Sequence, residues 1–84
     1  MPGSHYRSPV GFAIDHHAPT PAWIQLADQL RAHVTALRPK DQIPSTQELV
    51  RETGLAIGTI QKAVGKMKEE GLVYSVPGRG TFRR

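Results

Sequence analysis

Apolar residues recur at steps of three and four in two stretches of the chain, which is the spacing of a buried stripe on an amphipathic helix. The two patterns predict helices over residues 22–37 and 57–70. The stripe of the first helix consists of Trp23, Leu26, Ala27, Leu30, Val34 and Leu37. The stripe of the other consists of Ile57, Ile60, Ala63, Val64 and Met67. Each helix is therefore expected to turn one face inward and to leave the opposite face polar.

Boundary signals predict a shorter helix between these two. Ser45 followed three residues later by Glu48 is a capping box, in which each side chain accepts a hydrogen bond from the backbone amide of the other residue. Gly54 suits the left-handed conformation that ends a helix and begins a tight turn. For the first helix, Thr20 is the expected cap and Pro21 the first helical residue, where an amide proton would have no partner.

The end of the chain has the pattern of a hairpin. Residues 72–76 predict a strand, 77–80 a turn and 81–84 a returning strand. Ile43, in the loop before the second helix, is a candidate for a strand of one bridge. The predicted fold class is therefore mostly α with a small β-hairpin.

Residues 1–20 differ from the rest of the chain in composition. They hold three prolines and two glycines and show no helical period, which predicts a flexible or extended N-terminal arm before a domain at residues 21–84. Val10, Phe12 and Ile14 alternate with smaller residues, so a short strand or a docked extended stretch is the alternative interpretation.

Length and composition exclude several classes of protein. A chain of 84 residues has room for one small domain, without a core around a deep catalytic cavity. Glu48 and Glu52 lie one helical turn apart, but a cap and a solvated partner account for them, so we expect no enzyme. His16 and His17 lack the further preset ligands of a metal site, so we expect no metal and no cofactor. The absence of cysteine and of any apolar run near the ~20 residues of a membrane span favours a cytoplasmic protein.

The net charge is +4, and all of the excess lies in the last third of the chain. Residues 1–20 and 21–56 are each neutral, whereas residues 57–84 carry six basic side chains against Glu69 and Glu70. Positive charge concentrated in this way favours a polyanionic partner, most commonly nucleic acid.

The outward face of the third helix is predicted to be small, polar and mostly basic. Gly58 and Gly65 each cost about 1 kcal/mol relative to alanine inside a helix, so either the helix is imperfect or something must approach it closely. Lys62 and Lys66 repel each other one turn apart, which a bound phosphate would relieve, although an ordinary solvated face has the same composition. A glycine turn followed by such a helix is the geometry that lays a helix in the major groove of DNA.

Three more side chains are candidates for contacts with DNA. The amide of Gln61 can pair with the edge of adenine, and Thr59 can reach a phosphate or a thymine methyl group. Arg79 lies between Gly78 and Gly80 at the predicted hairpin tip, where a slim cationic projection suits a minor groove or a phosphate. The alternative is an arginine in a routine glycine turn.

Several motifs occur together and in a fixed order. They are Gln25-Leu26-Ala27-Asp28-Gln29-Leu30, Ile43-Pro44-Ser45 with Glu48-Leu49, Gly58-Thr59-Ile60-Gln61-Lys62-Ala63, Glu70-Gly71-Leu72-Val73 and Pro77-Gly78-Arg79-Gly80-Thr81-Phe82. Through these motifs, residues 21–82 resemble the winged helix-turn-helix domain of the GntR family of bacterial transcription regulators. The resemblance implies three helices plus a wing, and a DNA-binding repressor or activator that is usually dimeric and reads a palindromic operator.

The chain also departs from the family pattern. Ala56 and Ile57 stand where many relatives have serine and arginine, Gln47 replaces an arginine, and Gln61 and Lys62 stand where relatives often have two arginines. We therefore expect weaker phosphate anchoring and a different operator. Relatives continue past the wing into a ligand-sensing domain, so we expect either a free-standing small regulator or the binding domain of a longer one. No small-molecule effector is expected in this chain, and a homodimer is expected to form on DNA.

The function predicted from the sequence is that of a sequence-specific, double-stranded DNA-binding transcriptional regulator, most simply a repressor. Residues 57–70 are predicted to read the major groove, and residues 77–80 to contact the minor groove or the backbone. The alternatives are a winged-helix protein interaction module and an accessory architectural factor. The predicted DNA-binding residues are Ser45, Thr46, Gln47, Gly58, Thr59, Gln61, Lys62, Lys66, Arg79 and Gly80.

Overall fold

The structure is a computed structural model that describes residues 11–84. Three helices are followed by a two-stranded antiparallel hairpin, which confirms the predicted winged helix-turn-helix class. The elements are α1 Ala22–Thr35, α2 Thr46–Thr53, α3 Ile57–Glu69, β1 Val73–Val76 and β2 Gly80–Arg83. No helix in this part of the chain is long and apolar enough to cross a membrane.

The helices start in different ways. The Ser45 hydroxyl accepts a hydrogen bond from the Glu48 amide at 3.1 Å, and the Glu48 carboxylate accepts one from the Ser45 amide at 2.8 Å, which confirms the capping box of α2. Gly54 ends α2 in the left-handed conformation with φ 73°. The expected Thr20 cap is wrong: Pro21 is itself the cap residue of α1, and no side chain bonds to the first turn.

A single core lies between the helices and the hairpin. The largest fully buried side chains are Leu26, Leu30, Val34, Leu49, Ile60 and Met67. They belong to the predicted stripes of α1 and α3 and to the inward side of α2. Ile57 is the exception, because it was expected to face inward and is 51% exposed. Helical side chains tilt toward the N-terminus, so at the first residue of α3 the side chain projects past the helix end instead of over the core.

An ion pair orients α3 against α1. The Arg31 guanidinium donates two hydrogen bonds to the Glu70 carboxylate, both at 2.7 Å, and a third to Asp28 at 2.9 Å. The hydrogen bond from Arg31 holds the pKa of Glu70 below its ordinary value, and the bonds to Glu70 and Asp28 raise the pKa of Arg31. Two parallel bonds between planar groups have a defined geometry, so this contact joins the C-terminal end of α3 to α1 beside the core that packs the two helices together.

The hairpin is anchored to the segment that precedes α2. Gln42 forms an antiparallel bridge with Phe82, and the amide of Ile43 donates to the carbonyl of Thr81 at 2.9 Å. The bridge expected at Ile43 is thus found one residue earlier. Through this third short strand, the position of the wing depends on the loop between α1 and α2.

Residues 11–20 lie against α1. The Phe12 ring is 6% exposed and meets the His33 ring edge-on, with centroids 5.9 Å apart. The side-chain amide of Gln29 bonds to both backbone groups of Ala13, at 2.9 and 2.6 Å. This part of the predicted arm is therefore docked through Phe12. The predictions for residues 1–10, Val10 among them, lie outside the described residues, and the domain division at residue 21 stays a prediction.

Candidate DNA interface

The polar side of α3 faces solvent. Gly58, Gln61 and Lys62 are exposed, and Thr59 and Lys66 are partly buried. None of these predicted site residues is part of the core, so the surface that the sequence assigned to DNA is available to a large ligand.

The first turn of α3 carries no polar cap. Ala56 is the cap residue, and no side chain accepts a hydrogen bond from the first-turn amides. The Thr59 amide donates to the carbonyl of Ala56 at 3.0 Å, which leaves the amides of Ile57 and Gly58 without an acceptor at the positive end of the helix, where they favour an anion. Ile57 projects beside them, and sequence reasoning missed it as a surface residue because its spacing assigned it to the inward stripe. The only sequence signal was its place at the start of the helix.

The fold does not require Gly58 and Gly65. A Cβ atom built on either residue would meet nothing within 4 Å beyond its own helix. The missing side chains therefore have no packing reason inside this domain. Close approach by an external partner and an imperfect helix therefore both stay open as interpretations of these glycines.

Two of the three lysines of α3, Lys62 and Lys66, are each partnered within the protein. The ammonium of Lys62 lies 4.5 Å from the centroid of the Trp23 ring on α1, and Lys66 lies 3.7 Å from the Glu69 carboxylate. These four side chains and Gly65 line an open hollow of about 330 Å³ between α1 and α3. The contacts moderate the mutual repulsion expected for the two lysines and hold both charges at one hollow.

The tip of the wing is held by a residue that no motif indicated. The side-chain amide of Gln42 donates a hydrogen bond to the carbonyl of Arg79 at 3.2 Å. Gly80 has φ 126°, and a Cβ atom there would lie 2.5 Å from the same Gln42 nitrogen. Gly80 is thus required by its backbone conformation, whereas a Cβ atom there would only have to displace the end of the flexible Gln42 side chain. Gln42 lies 37 residues from Arg79 along the chain, so no local spacing could reveal the pair.

Some of the basic side chains of the last third of the chain are engaged by contacts within the protein. Arg83 donates to the carbonyl of Val34 in the last turn of α1 at 2.7 Å, and Arg84 lies 5.8 Å from the centroid of the Tyr74 ring. Within residues 11–84, the charged groups of Lys68 and Arg79 have no such partner. Arg79 therefore presents a free cation at the wing tip.

The predicted residues of α2 form a third group at the start of that helix. Ser45 and Gln47 are exposed, and Thr46 is partly buried. The Ser45 hydroxyl is engaged by the amide of Glu48, whereas the side chain of Gln47 makes no hydrogen bond within residues 11–84. The structure thus gathers the predicted site residues into three groups, at the start of α2, on α3 and at the wing tip.

The sequence matches a known family over most of its length. A model of the family described as "Bacterial regulatory proteins, gntR family" matches residues 24–82. The HTH-type transcriptional repressor NagR of Bacillus subtilis (strain 168) is 32% identical over 71 residues, which are 82% of this chain and 29% of NagR. The chain therefore spans less than a third of the length of this curated relative.

Solved structures share the fold. AraR(DBD) in complex with operator ORE1 is similar with a TM-score of 0.75 at 30% identity, over 84% of this chain and 89% of that chain. YtrA from Sulfolobus acidocaldarius, a GntR-family transcription factor, is similar with a TM-score of 0.76 at 30% identity, over 88% of this chain and 80% of that chain. The arrangement of helices and wing is therefore common to all three.

Proposed function

Since the chain belongs to the gntR family of bacterial regulatory proteins, we propose that it is a sequence-specific, double-stranded DNA-binding regulator of transcription and that it acts as a repressor. One observation carries the proposal: most of the chain is similar in fold to AraR(DBD), a domain bound to an operator. The relative NagR is itself a repressor.

In this proposal the N-terminal half of α3 enters the major groove. That groove admits a helix, and the absent side chain at Gly58 lets the helix backbone come close to the base edges. Gln61, which is exposed, then pairs with an adenine, and Thr59 contacts a phosphate or a thymine methyl group. Lys62 and Lys66 neutralise phosphates beside the hollow that they line.

The other two groups, at the wing tip and at the start of α2, contact the DNA beside the base pairs that α3 reads. Arg79 enters the minor groove or binds its phosphates, supported from behind by the bond that its carbonyl accepts from Gln42. Ser45, Thr46 and Gln47 meet a phosphate at the start of α2, where backbone amides and the helix dipole favour an anion. Phosphate contacts of this kind fix the register of the protein on the duplex and leave base reading to α3.

We propose a palindromic operator that is occupied by two copies of the protein. In such complexes the half-site centres lie about 34 Å apart, or a multiple of that distance. A regulator that acts on chromosomal DNA in a bacterium works in the cytoplasm, and regulation without catalysis is the role we propose for this domain, as in its family.

A winged-helix protein interaction module is the rival proposal, and salt separates the two. Fluorescence anisotropy of the 84-residue chain on a duplex selected from a random library measures affinity at increasing salt. About five phosphate contacts give a slope of log affinity against log salt near −4 to −5. A slope near zero, or a failure to enrich any sequence, would contradict DNA recognition, since an apolar protein contact depends little on salt.

A further inference from the structure

Ile57 is an apolar side chain in a place where the fold does not bury it. It is 51% exposed, and within residues 11–84 the other large apolar side chains are buried or partly buried. Its neighbours Ala56 and Gly58 are exposed and small. The isoleucine thus stands at a helix start whose adjacent side chains are small, with about half of its surface open to solvent.

We propose that Ile57 contacts the C5-methyl group of a thymine in the major groove and so specifies part of the operator, an inference that rests on the proposed function. The thymine methyl is the one apolar group that base edges present in that groove. An isoleucine side chain can make apolar contact with this methyl group, but it cannot form a hydrogen bond with a donor or an acceptor on a base edge. A base pair with a polar group at that place loses a hydrogen bond to water without gaining another, and is disfavoured.

The position of Ile57 suits this contact. Residues at the N-terminal end of a recognition helix are those that reach base edges, and helical side chains tilt toward that end. Gln61 lies four residues later and therefore on the same side of α3 as Ile57. Four residues advance a helix by about 6 Å, so the thymine and the base pair contacted by Gln61 are expected to lie within about two base pairs of each other.

A protein partner fits the same side chain less well. One isoleucine flanked by an alanine and a glycine offers far less area than the few hundred Å² of a contiguous apolar docking patch. A single base methyl group, in contrast, needs only one apolar side chain of this size. The uncapped amides of the same helix turn favour an anionic duplex next to it.

Replacement of thymine by deoxyuridine tests the proposal, because it removes only the methyl group. Each thymine of the selected operator is replaced in turn, and affinity for the 84-residue chain is measured by anisotropy. We expect one thymine in each half-site whose replacement weakens binding by about threefold to tenfold, the range for burial of a group the size of a methyl. The variant Ile57→Ala is expected to bind the unmodified operator more weakly and to be insensitive to that replacement.

Two controls separate the inference from its premise. Lys68→Ala changes an exposed residue near the other end of α3 and is expected to keep the full sensitivity to deoxyuridine. Circular dichroism verifies that Ile57→Ala is folded, and Ile57→Val retains part of the effect. Specific binding with no sensitive thymine, or equal sensitivity in the wild type and Ile57→Ala, overturns the role of Ile57 alone. Absence of any salt-dependent binding to duplex DNA overturns the proposed function and this inference together.

Discussion

The side-chain amide of Gln42 donates a hydrogen bond to the backbone carbonyl of Arg79, and the two atoms are 3.2 Å apart. The bond joins the segment before α2 to the tip of the wing. It leaves the Arg79 guanidinium free while restraining the backbone that carries it. Gln42 is therefore a positioning residue for the proposed groove contact.

We expect Gln42→Ala to weaken DNA binding by about twofold to tenfold, because a hydrogen bond of this kind contributes about 0.5–1.5 kcal/mol. Anisotropy on the selected operator measures the effect, and the same substitution in an Arg79→Ala background provides the control. If Gln42 acts by positioning Arg79, Gln42→Ala causes no further loss of affinity in the Arg79→Ala background. Equal losses in both backgrounds would show that Gln42 acts independently of Arg79.

Gly80→Ala should destabilise the domain by about 1–3 kcal/mol, since the residue has φ 126° and the new methyl would meet Gln42. Urea unfolding followed by circular dichroism measures the change. Removal of the side chain at position 42 relieves the collision but not the backbone strain. Because the Gln42 side chain is flexible, the double variant with Gln42→Ala should recover little of the loss, and an unaltered unfolding midpoint in Gly80→Ala would refute the assigned strain.

Replacement of either glycine of α3 by alanine should stabilise the domain, and at Gly58 it should also weaken DNA binding. Gly58→Ala and Gly65→Ala are each expected to raise the free energy of unfolding by about 0.5–1 kcal/mol, because the fold leaves room for a methyl group at both positions. Gly58→Ala should at the same time weaken operator binding. A variant that is more stable and binds unchanged would show that nothing approaches this face of the helix.

Single removals of two of the proposed phosphate ligands, Lys62 and Arg79, should be visible in the salt dependence. Lys62→Ala and Arg79→Ala are each expected to weaken binding and to reduce the salt slope by about 1. Lys62→Ala also gives up the contact with Trp23, worth about 0.5–1 kcal/mol at an exposed site, whereas Lys62→Arg retains both roles. Lys68→Ala serves as a charge-matched control, and a slope that is unchanged in all three alanine variants would count against the assigned surface.

Stability should fall in two separate steps as the pH is lowered. Burial lowers the pKa of His33 below its ordinary value of 6.5, so the unfolded chain takes up the proton first. The stabilisation from neutral His33 is complete above pH 6.5 and is lost as the pH falls toward the folded pKa. The bonds from Arg31 likewise lower the pKa of Glu70 below 4.5, so its contribution is lost only below that pH.

Thermal melting between pH 8 and pH 3 resolves these steps. His33→Gln is expected to abolish the upper step and leave the lower one, and Glu70→Gln is expected to do the reverse. Each variant is thus the control for the other. A melting temperature that stays constant between pH 7 and pH 5 in the wild type would contradict the burial of a neutral His33 against Phe12.

Local signals in the sequence were sufficient for the class of fold. The stripes of α1 and α3, the capping box of Ser45 and Glu48, and the left-handed Gly54 all act between residues within about one helical turn of each other. A pattern that involves only such neighbouring residues can be recognised in the sequence alone. The helix order, the hairpin and the outward polar side of α3 followed from it, and the order of the motifs identified the family.

Tertiary structure alone decided which of these side chains are free to act. Arg83 contributes to the net positive charge of the sequence, yet it bonds to a carbonyl 49 residues away on α1. Gln42 belongs to no motif, yet it holds the wing tip, and Ile57 has the spacing of a core residue, yet it stands exposed at a helix end. Contacts between distant residues depend on where whole elements pack, and no periodicity along the chain carries that information.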